Sequence, residues 1–464
     1  MNIKGIYKKN LFKSLIVYTT SITIVLSSCD EFVDVDTPTT QITKTDVYEN
    51  DAVATAAIRG IYSKMTEGTL SFAVGSSSLY GGWLSDELSI FSSNIFDQEF
   101  YKNSLTPSNS EVAAIWSQAY EYIYYSNSII EGLNVSNGVT ESTKKQLIGE
   151  AKIIRAFCHF YLVNLWGDIP LVISTDYRIN STIKRVSKNE IYNQIKDDLI
   201  DAQEILPSEY ITTERSRPNK WTAVALLARV YLYLEDWPKA ESNSSLIIDN
   251  NLYELSTNLD EVFLKGSKEA IWQISPVRAP YYTTTDADAF ILYSKPQTVA
   301  LSNDLVNSFA LGDKRKTHWI DSIIVDGETF YYPFKYKITS TLNETESNTI
   351  LRISEQYLIR SEARAKQTKL NEALQDLNII RSRAGLGGSL AITQQEILLA
   401  IESERKRELF TEGHRWIDLK RTNRSTDVLK PIKPDWQETD ILFPIPKAQL
   451  LNDPSMSDQQ NPGY

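Results

Sequence analysis

Residues 404–421 read ERKRELFTEGHRWIDLKR, and this stretch decides how the rest of the chain is interpreted. Glu404, Glu408 and Glu412 recur every four residues, so a helix would place them on one face, within reach of arginines of the same segment. Apolar side chains interleave with these charges, which predicts a helix buried deeply enough to need ionic partners. Because ion-pair networks shift pKa values without doing chemistry, the pattern favours a structural motif over an active site. The motif comprises Glu404, Arg405, Glu408, Glu412, Gly413, Arg415, Trp416, Asp418 and Arg421.

Helical periodicity recurs ahead of this segment and makes the predicted fold class mainly α. The predicted helices cover 45–65, 111–133, 143–166, 188–206, 219–234, 237–249, 354–368, 370–383 and 394–420. Ala228 and Ala240 lie twelve residues apart in one helix pair, and Ser361 and Ala373 do so in another. Small residues at that offset let antiparallel helices approach closely, which indicates a tetratricopeptide-like scaffold. The alternative is that this spacing is a coincidence, because two helix pairs are fewer than the three that a solenoid core needs. The helices 143–166 and 188–206 are candidates for a third pair.

Two long stretches without helical periodicity interrupt this scaffold. The scaffold covers about 45–66, 110–250 and 350–425, and the irregular, partly β inserts cover about 67–108 and 250–345. Inserts of this length in a compact protein usually carry function. Their aromatic rings stand among Ser, Thr and Asn, a mixture that suits sugars because rings cover the CH face while polar groups meet the hydroxyls. The candidate ligand-binding residues are Trp83, Phe96, Tyr101, Tyr281, Tyr282, Tyr293 and Trp319, with packing anchors as the alternative.

Composition and missing motifs exclude several classes of function. The formal charge of −11 argues against a DNA or RNA partner, because phosphate binding needs clustered Lys and Arg. The two cysteines and three histidines show no metal-ligand spacing, so neither a metal nor a cofactor is expected. The sequence has no phosphate loop, no nucleophile elbow and no His-Glu-x-x-His. Asp86 and Glu87 are adjacent, and adjacent side chains diverge on any regular element, so they are no evidence for a catalytic pair.

The first residues have the organisation of a lipoprotein signal peptide, 1–28. Four lysines precede an apolar run over 15–26, two serines and then Cys29. An unprocessed membrane helix is the alternative, but the run is shorter than the roughly 20 apolar residues that a bilayer crossing needs. Removing 1–28 takes away four lysines and no acids, which changes the formal charge from −11 to −15. The acidic residues 29–44 then form a tether ahead of a single domain, 45–464.

Several motifs along the chain resemble those of known lipoproteins. Leu26-Ser-Ser-Cys29 resembles the lipobox, whose cysteine carries the acyl chains, and the acidic residues after it resemble a tag for the outer leaflet of the outer membrane. The whole chain resembles the SusD/RagB family of outer-membrane nutrient-binding lipoproteins. Its matching motifs are Arg155-Ala-Phe157, Trp166-Gly-Asp-Ile-Pro170, Tyr357-Leu-Ile-Arg-Ser-Glu-Ala363, Arg381-Ser-Arg-Ala-Gly385, the segment 404–421, Phe443-Pro-Ile-Pro446 and Gln460-Asn-Pro-Gly-Tyr464. Ser361 departs from the family pattern, in which alanine is common.

The resemblance implies a non-enzymatic protein that is lipidated at Cys29 and exposed on the cell surface. It further implies a lid over a SusC-like, TonB-dependent transporter, to which the protein delivers captured oligosaccharides. No sugar contact of the family is transferred to this sequence, because such contacts lie in the variable inserts. Two alternatives stay open, namely a peptide-binding protein of the same fold and a periplasmic helical scaffold for protein partners.

Overall fold

The computed structural model describes residues 46–68, 70–276 and 283–464, and helices dominate them. The signal peptide, the whole tether with Cys29, Tyr281 and Tyr282 lie outside these ranges. The helices are α1 (Asp51–Met65), α2 (Ser76–Leu84), α3 (Ile95–Lys102), α4 (Ser110–Val135), α5 (Glu141–Trp166), α6 (Tyr177–Asn180), α7 (Lys188–Ile205), α8 (Lys220–Tyr233), α9 (Trp237–Ile248), α10 (Thr285–Phe290), α11 (Asn303–Ser308), α12 (Lys314–His318), α13 (Ile353–Lys366), α14 (Leu370–Arg383), α15 (Gln394–Glu408), α16 (Arg415–Arg421), α17 (Ser425–Leu429) and α18 (Lys447–Asn452). Within the described ranges, none of the helices combines the length and the hydropathy that a membrane crossing requires.

The long helices stack side by side in chain order. α4 packs on α5, α5 on α7, α7 on α8, α8 on α9, α9 on α13 and α13 on α14. The pairs α5 and α7, α8 and α9, and α13 and α14 are therefore three successive helical hairpins, and the third unit that the sequence left open is present. α8 lies at the centre of the stack, and its residues 222–233 are all buried. The tetratricopeptide-like, mainly α scaffold is confirmed.

Small residues stand where the paired helices meet. Ala228 and Ala240 have no exposed surface, and neither have Ser361 and Ala373. The Ser361 hydroxyl donates a hydrogen bond of 2.7 Å to the carbonyl oxygen of Ala373. Serine thus links α13 to α14 at a position where alanine would only fill space, and its buried hydroxyl is satisfied.

Eight short strands form four antiparallel pairs in the described part of the chain. The strands are β1 (Leu88–Ile90), β2 (Ile169–Pro170), β3 (Arg185–Val186), β4 (Ala270–Ile274), β5 (Val299–Leu301), β6 (Ile320–Val325), β7 (Glu328–Pro333) and β8 (Asn348–Arg352). β1 pairs with β5, β2 with β3, β4 with β8 and β6 with β7. Asp326 and Gly327 join β6 to β7 with φ angles of 54° and 81°, which is the two-residue turn that matches the twist of a hairpin.

The β1–β5 pair joins the two irregular inserts, because β1 belongs to the first and β5 to the second. Leu88 lies opposite Leu301, and Ile90 lies opposite Val299. β5 also contacts β7, so the β6–β7 hairpin adjoins this pair. Aromatic residues from distant parts of the sequence are thereby brought to one surface.

Gly413 lies where α2 approaches the 404–421 segment closely. Its φ is +76°, and a Cβ atom there would lie 2.9 Å from Cβ of Ser77. We expect Gly413→Ala to lower the free energy of unfolding by about 1–3 kcal/mol, because alanine is strained at this φ and meets Ser77. Gly387→Ala is the matched control, since nothing lies within 4 Å of its Cβ position. Urea denaturation measures both variants, and equal stability of the two would contradict the expectation.

Candidate functional site

The carboxylate of Glu408 lies at the centre of a buried ion network. Glu408 is the last residue of α15 and has no exposed surface. It bonds Arg352 at 2.6 Å and Arg315 at 3.1 Å, and it also bonds Arg383. Burial by itself raises the pKa of Glu408, but the three guanidinium groups outweigh burial and hold the pKa well below its usual value. This carboxylate is a permanent anion and is unsuited to proton transfer.

Glu412 extends the network beyond the end of α15. Arg352 lies 2.7 Å and Lys335 2.5 Å from its carboxylate oxygens. Burial raises the pKa of Glu412, but the two cations outweigh burial and bring the pKa to about 2. Lys335 also donates to the carbonyl oxygens of Glu408 and Phe410, at 3.0 and 2.8 Å. The bend after α15 is therefore held by side chain and backbone alike.

The partners of these two carboxylates were not predicted. Within the segment, the ion pairs are Arg405 with Asp418, Arg421 with Asp418 and Arg407 with Glu404. These pairs agree with the expected local pairing, but every ionic partner of Glu408 and Glu412 among the described residues comes from outside the segment. Local pairing is wrong for these two because the segment is not one helix: α15 ends at Glu408, and α16 begins at Arg415.

Two of the predicted ligand-binding rings are core residues. Trp319 has no exposed surface, and its Nε1 donates to the carbonyl oxygen of Leu259 at 3.0 Å. The ammonium group of Lys335 lies 5.0 Å from the centre of the Trp319 ring, which places this ring against the ion network. Trp83 is also fully buried, with its ring centre 6.0 Å from that of Tyr80. Burial contradicts the predicted stacking role of both tryptophans, because neither presents a face to a ligand; they are packing anchors.

The other predicted rings differ in exposure. Phe96 and Tyr101 lie on α3 and are half-buried. The Tyr101 ring faces the ammonium group of Lys433 at 5.5 Å. Tyr293 is 74% exposed, and its hydroxyl shares a hydrogen bond with that of Thr339. Among the predicted residues that the structure describes, Tyr293 is the most accessible.

Tyr293 lies close enough to Tyr332 to influence its ionisation. We name the row of rings to which both belong the aromatic ridge: Phe91, Tyr293, Phe330, Tyr332 and Phe334. The ring centres of Phe91 and Phe330 are 5.6 Å apart, and those of Tyr332 and Phe334 are 6.0 Å apart. Phe330 and Tyr332 alternate along β7 and therefore share a face of the hairpin. Both are buried, whereas Phe91 is 38% exposed and Phe334 is partly exposed. The ridge thus presents three accessible rings on two buried ones.

Polar groups flank the rings of the ridge. The Tyr332 hydroxyl donates to Asp321 at 3.1 Å. Burial, Asp321 and Tyr293 together raise the pKa of Tyr332 to about 12, so this hydroxyl remains protonated at neutral pH. The ammonium group of Lys337 lies 5.3 Å from the centre of the Phe334 ring. Such a surface can cover the CH face of a sugar ring and meet its hydroxyl groups at the edges.

Phe91 and Phe334 were not predicted as ligand-binding candidates. The alternation of aromatic residues along 330–336 is the signal that marks Phe334. No local signal marks Phe91, because it joins the ridge only through the pairing of β1 with β5, where its N–H donates to the carbonyl oxygen of Thr298 at 2.8 Å.

Asp86 and Glu87 are adjacent buried residues whose pKa values are shifted in opposite directions. Asp86 bonds Arg415 at 2.8 Å and Lys406 at 2.6 Å; burial raises its pKa, but these cations hold the pKa well below its usual value. Glu87 accepts a hydrogen bond of 3.3 Å from the N–H of Thr411, and burial, with a smaller effect of Asp86, raises its pKa to about 8. Both residues attach the first insert to the 404–421 segment. Across the described ranges, no group of three or more His, Cys, Asp or Glu side chains is placed to hold a metal ion.

Glu87 makes stability depend on pH in a specific direction. Its folded pKa of about 8 exceeds the ordinary value of 4.5, so between these values the folded state holds more protons and loses stability as pH rises. Glutamine does not titrate, and we expect the stability of Glu87→Gln relative to the wild type to increase from about pH 5 to about pH 8. Urea denaturation across this range is the measurement.

Asp86→Asn is the control of opposite sign, because it breaks two ion pairs and is expected to destabilise the protein at neutral pH. A difference between Glu87→Gln and the wild type that stays constant with pH would contradict the assignment.

Known proteins share the fold described above. A SusD-like protein of Formosa agariphila is 23% identical over 94% of this chain and 97% of its own length. A solved SusD superfamily protein of Bacteroides vulgatus has 23% identity and a TM-score of 0.76, over 90% of this chain and all of its own. A solved laminarin-binding SusD-like protein has 22% identity and a TM-score of 0.74 over the same shares, 90% and 100%.

Two family models match separate parts of the chain and together include the helix stack up to α8 and the 404–421 segment. The first, described as starch-binding and associating with the outer membrane, matches residues 31–232. The model of the SusD family matches residues 326–464. The protein belongs to the SusD/RagB family of glycan-binding proteins that associate with the outer membrane.

Proposed function

We propose that this protein captures oligosaccharides on the cell surface with its aromatic ridge and delivers them to a SusC-like, TonB-dependent transporter, over which it acts as a lid. The row of accessible rings at Phe91, Tyr293 and Phe334 carries the proposal, because it lies on the scaffold of a glycan-binding family. The laminarin-binding relative supports an oligosaccharide as the class of ligand.

The ridge is suited to stacking because its base is rigid. The N–H of Phe334 donates to the carbonyl oxygen of Trp319 at 2.8 Å, and Trp319 is buried beside the ion network. Rings that are held in place before binding lose little conformational entropy when a ligand arrives. The Tyr293 hydroxyl, Asp321 and Lys337 are the polar groups that meet sugar hydroxyls in this proposal. Phe96 and Tyr101, and Tyr281 and Tyr282 outside the described residues, are secondary candidates.

The state of the buried carboxylates supports binding without turnover. Glu408 and Glu412 have pKa values far below neutral pH and are held by cations. Glu87 has a pKa of about 8, but its side chain is buried, so a substrate does not reach it. A general acid must lie within hydrogen-bonding distance of the bond it cleaves, which none of these three does on the ridge.

The lid requires a tether and two states. Acyl chains on Cys29 hold the protein at the membrane, and several chains are needed because a single chain binds only marginally. A glycan that contacts both the ridge and the transporter would favour the closed state, since a ligand shifts an equilibrium by its differential affinity for the two states. The association of the family with the outer membrane supports this arrangement.

Alanine substitution on the ridge tests the proposed function. We expect Tyr293→Ala and Phe334→Ala each to weaken oligosaccharide binding by about 1–3 kcal/mol, because each removes an accessible stacking face. A glycan array followed by titration calorimetry on the purified protein is the measurement. Tyr177→Ala is the control, because Tyr177 is 78% exposed but lies on α6, away from the ridge.

Three outcomes of this experiment contradict the proposal in different ways. Wild-type affinity in both ridge variants would remove the ridge from the binding site. Binding of oligopeptides with no binding of glycans would show that the cargo is a peptide. Cleavage of oligosaccharides at an enzymatic rate would show that the protein is an enzyme.

Cys29→Ser tests the lipid tether. Serine cannot accept a thioether-linked lipid, so we expect the variant to move from the membrane fraction to the soluble fraction after cell breakage. Ser28→Thr is expected to remain in the membrane fraction and serves as the control. Retention of Cys29→Ser in the membrane fraction would contradict acyl anchoring, and protection of the wild type from protease added to whole cells would contradict surface exposure.

A further inference from the structure

A cleft between α13, α15 and α16 lies apart from the aromatic ridge and has no role in the proposed function. It holds about 140 Å³ of space for solvent. The side chains that line its wall include Lys366, Gln395, Leu398, Leu399 and Arg424. Gln395, Leu398 and Leu399 lie on one face of α15 because their spacing is three and four residues from Gln395.

The deep carboxylates of the cleft are already bonded by arginines. Glu362 accepts two hydrogen bonds from Arg421, at 2.6 and 2.8 Å. Asp418 bonds Arg405 and Arg421, both at 2.7 Å. Burial raises the pKa of Asp418, but the two arginines hold it well below its usual value. These acids are therefore saturated with donors and offer little to a cationic ligand.

The cleft also presents hydrogen-bond donors that have no acceptor among the described residues. Arg424 bonds Glu402 through Nε at 3.3 Å and Asp427 through Nη1 at 2.5 Å, and its Nη2 bonds no described residue. Lys366 is exposed, and its ammonium group lies 5.4 Å from the centre of the Trp237 ring. This contact with a ring face involves no acceptor oxygen, and Lys366 has no carboxylate within 4 Å among the described side chains. The amide of Gln395 likewise bonds nothing in the described ranges. A surface with unpaired donors and engaged acceptors favours an anion.

The charge and shape of the cleft agree with this preference. Four cations and three carboxylates line it, although the chain as a whole carries −11. Leu399 is 40% exposed, and Leu398 beside it is partly exposed. The cleft thus pairs a cationic rim with an apolar wall, which suits a ligand with a charged end and an apolar body.

We propose that this cleft binds a carboxylate group carried on a compact body. The carboxylate lies between Lys366 and Arg424, and the body packs against Leu398 and Leu399. A uronate sugar and a small free carboxylic acid offer the same chemistry, so the experiment separates them. The inference does not depend on the aromatic ridge and goes beyond the proposed function.

Titration calorimetry of the purified protein with glucuronate, glucose and acetate tests this site. Glucuronate is expected to bind and glucose to show no binding at the cleft, because glucose lacks the carboxylate. We expect Lys366→Ala to weaken glucuronate binding about threefold and Leu399→Asp to abolish it, because the new carboxylate repels the ligand. Lys145→Ala is the charge-matched control, since Lys145 is 56% exposed on α5 and pairs with Glu141.

The arms of the test have distinct meanings. Tighter binding of glucuronate than of acetate assigns the cleft to acidic sugars, whereas equal binding assigns it to carboxylates in general; both support the proposal. Equal glucuronate affinity in the wild type, Lys366→Ala and Leu399→Asp would overturn it, as would the absence of binding by both acids.

Discussion

The attraction between the Glu408 carboxylate and three guanidinium groups is the constraint on which the other parts of the structure depend. Arg315 belongs to the second insert, Arg352 is the last residue of β8 and Arg383 is the last residue of α14. One buried anion therefore joins segments that are far apart in sequence. Removal of one partner from a buried ion pair costs about 3–5 kcal/mol, against about 0–1 kcal/mol at the surface. The inserts consequently have a defined position on the helix stack.

The network also contacts the base of the aromatic ridge. Lys335 bonds Glu412 and lies 4.0 Å from the centre of the Phe410 ring and 5.0 Å from that of Trp319. The next residue towards the N-terminus, Phe334, is bonded through its N–H to Trp319 and carries a ring of the ridge. A contiguous set of contacts thus runs from the buried charges to the accessible rings. The residues that resemble an active site in the sequence support the proposed binding surface without reaching it.

Residue type alone predicts only part of the candidate site. The sequence directs attention to the two inserts, and Tyr293 is accessible, as a stacking residue must be. Trp83 and Trp319 are equally aromatic and lie in the same inserts, yet both are fully buried. Exposure depends on which side of an element a ring faces. Short elements, such as the nine-residue α2 that carries Trp83, have too little periodicity to show it. Phe91 was not predicted because it joins the aromatic ridge only through the pairing of β1 with β5, whereas the alternation of aromatic residues along 330–336 does mark Phe334.

The sequence by itself determined the helix stack, its small-residue contacts and the ionic character of the 404–421 segment, because periodicity and spacing are local properties. Only the tertiary structure decided which cations neutralise Glu408 and Glu412, since those partners are 25 to 93 residues away and are chosen by packing. It likewise decided that β1 pairs with β5 and so brings Phe91 to the hairpin. Pairings across such distances depend on the relative placement of whole elements, which no local pattern encodes.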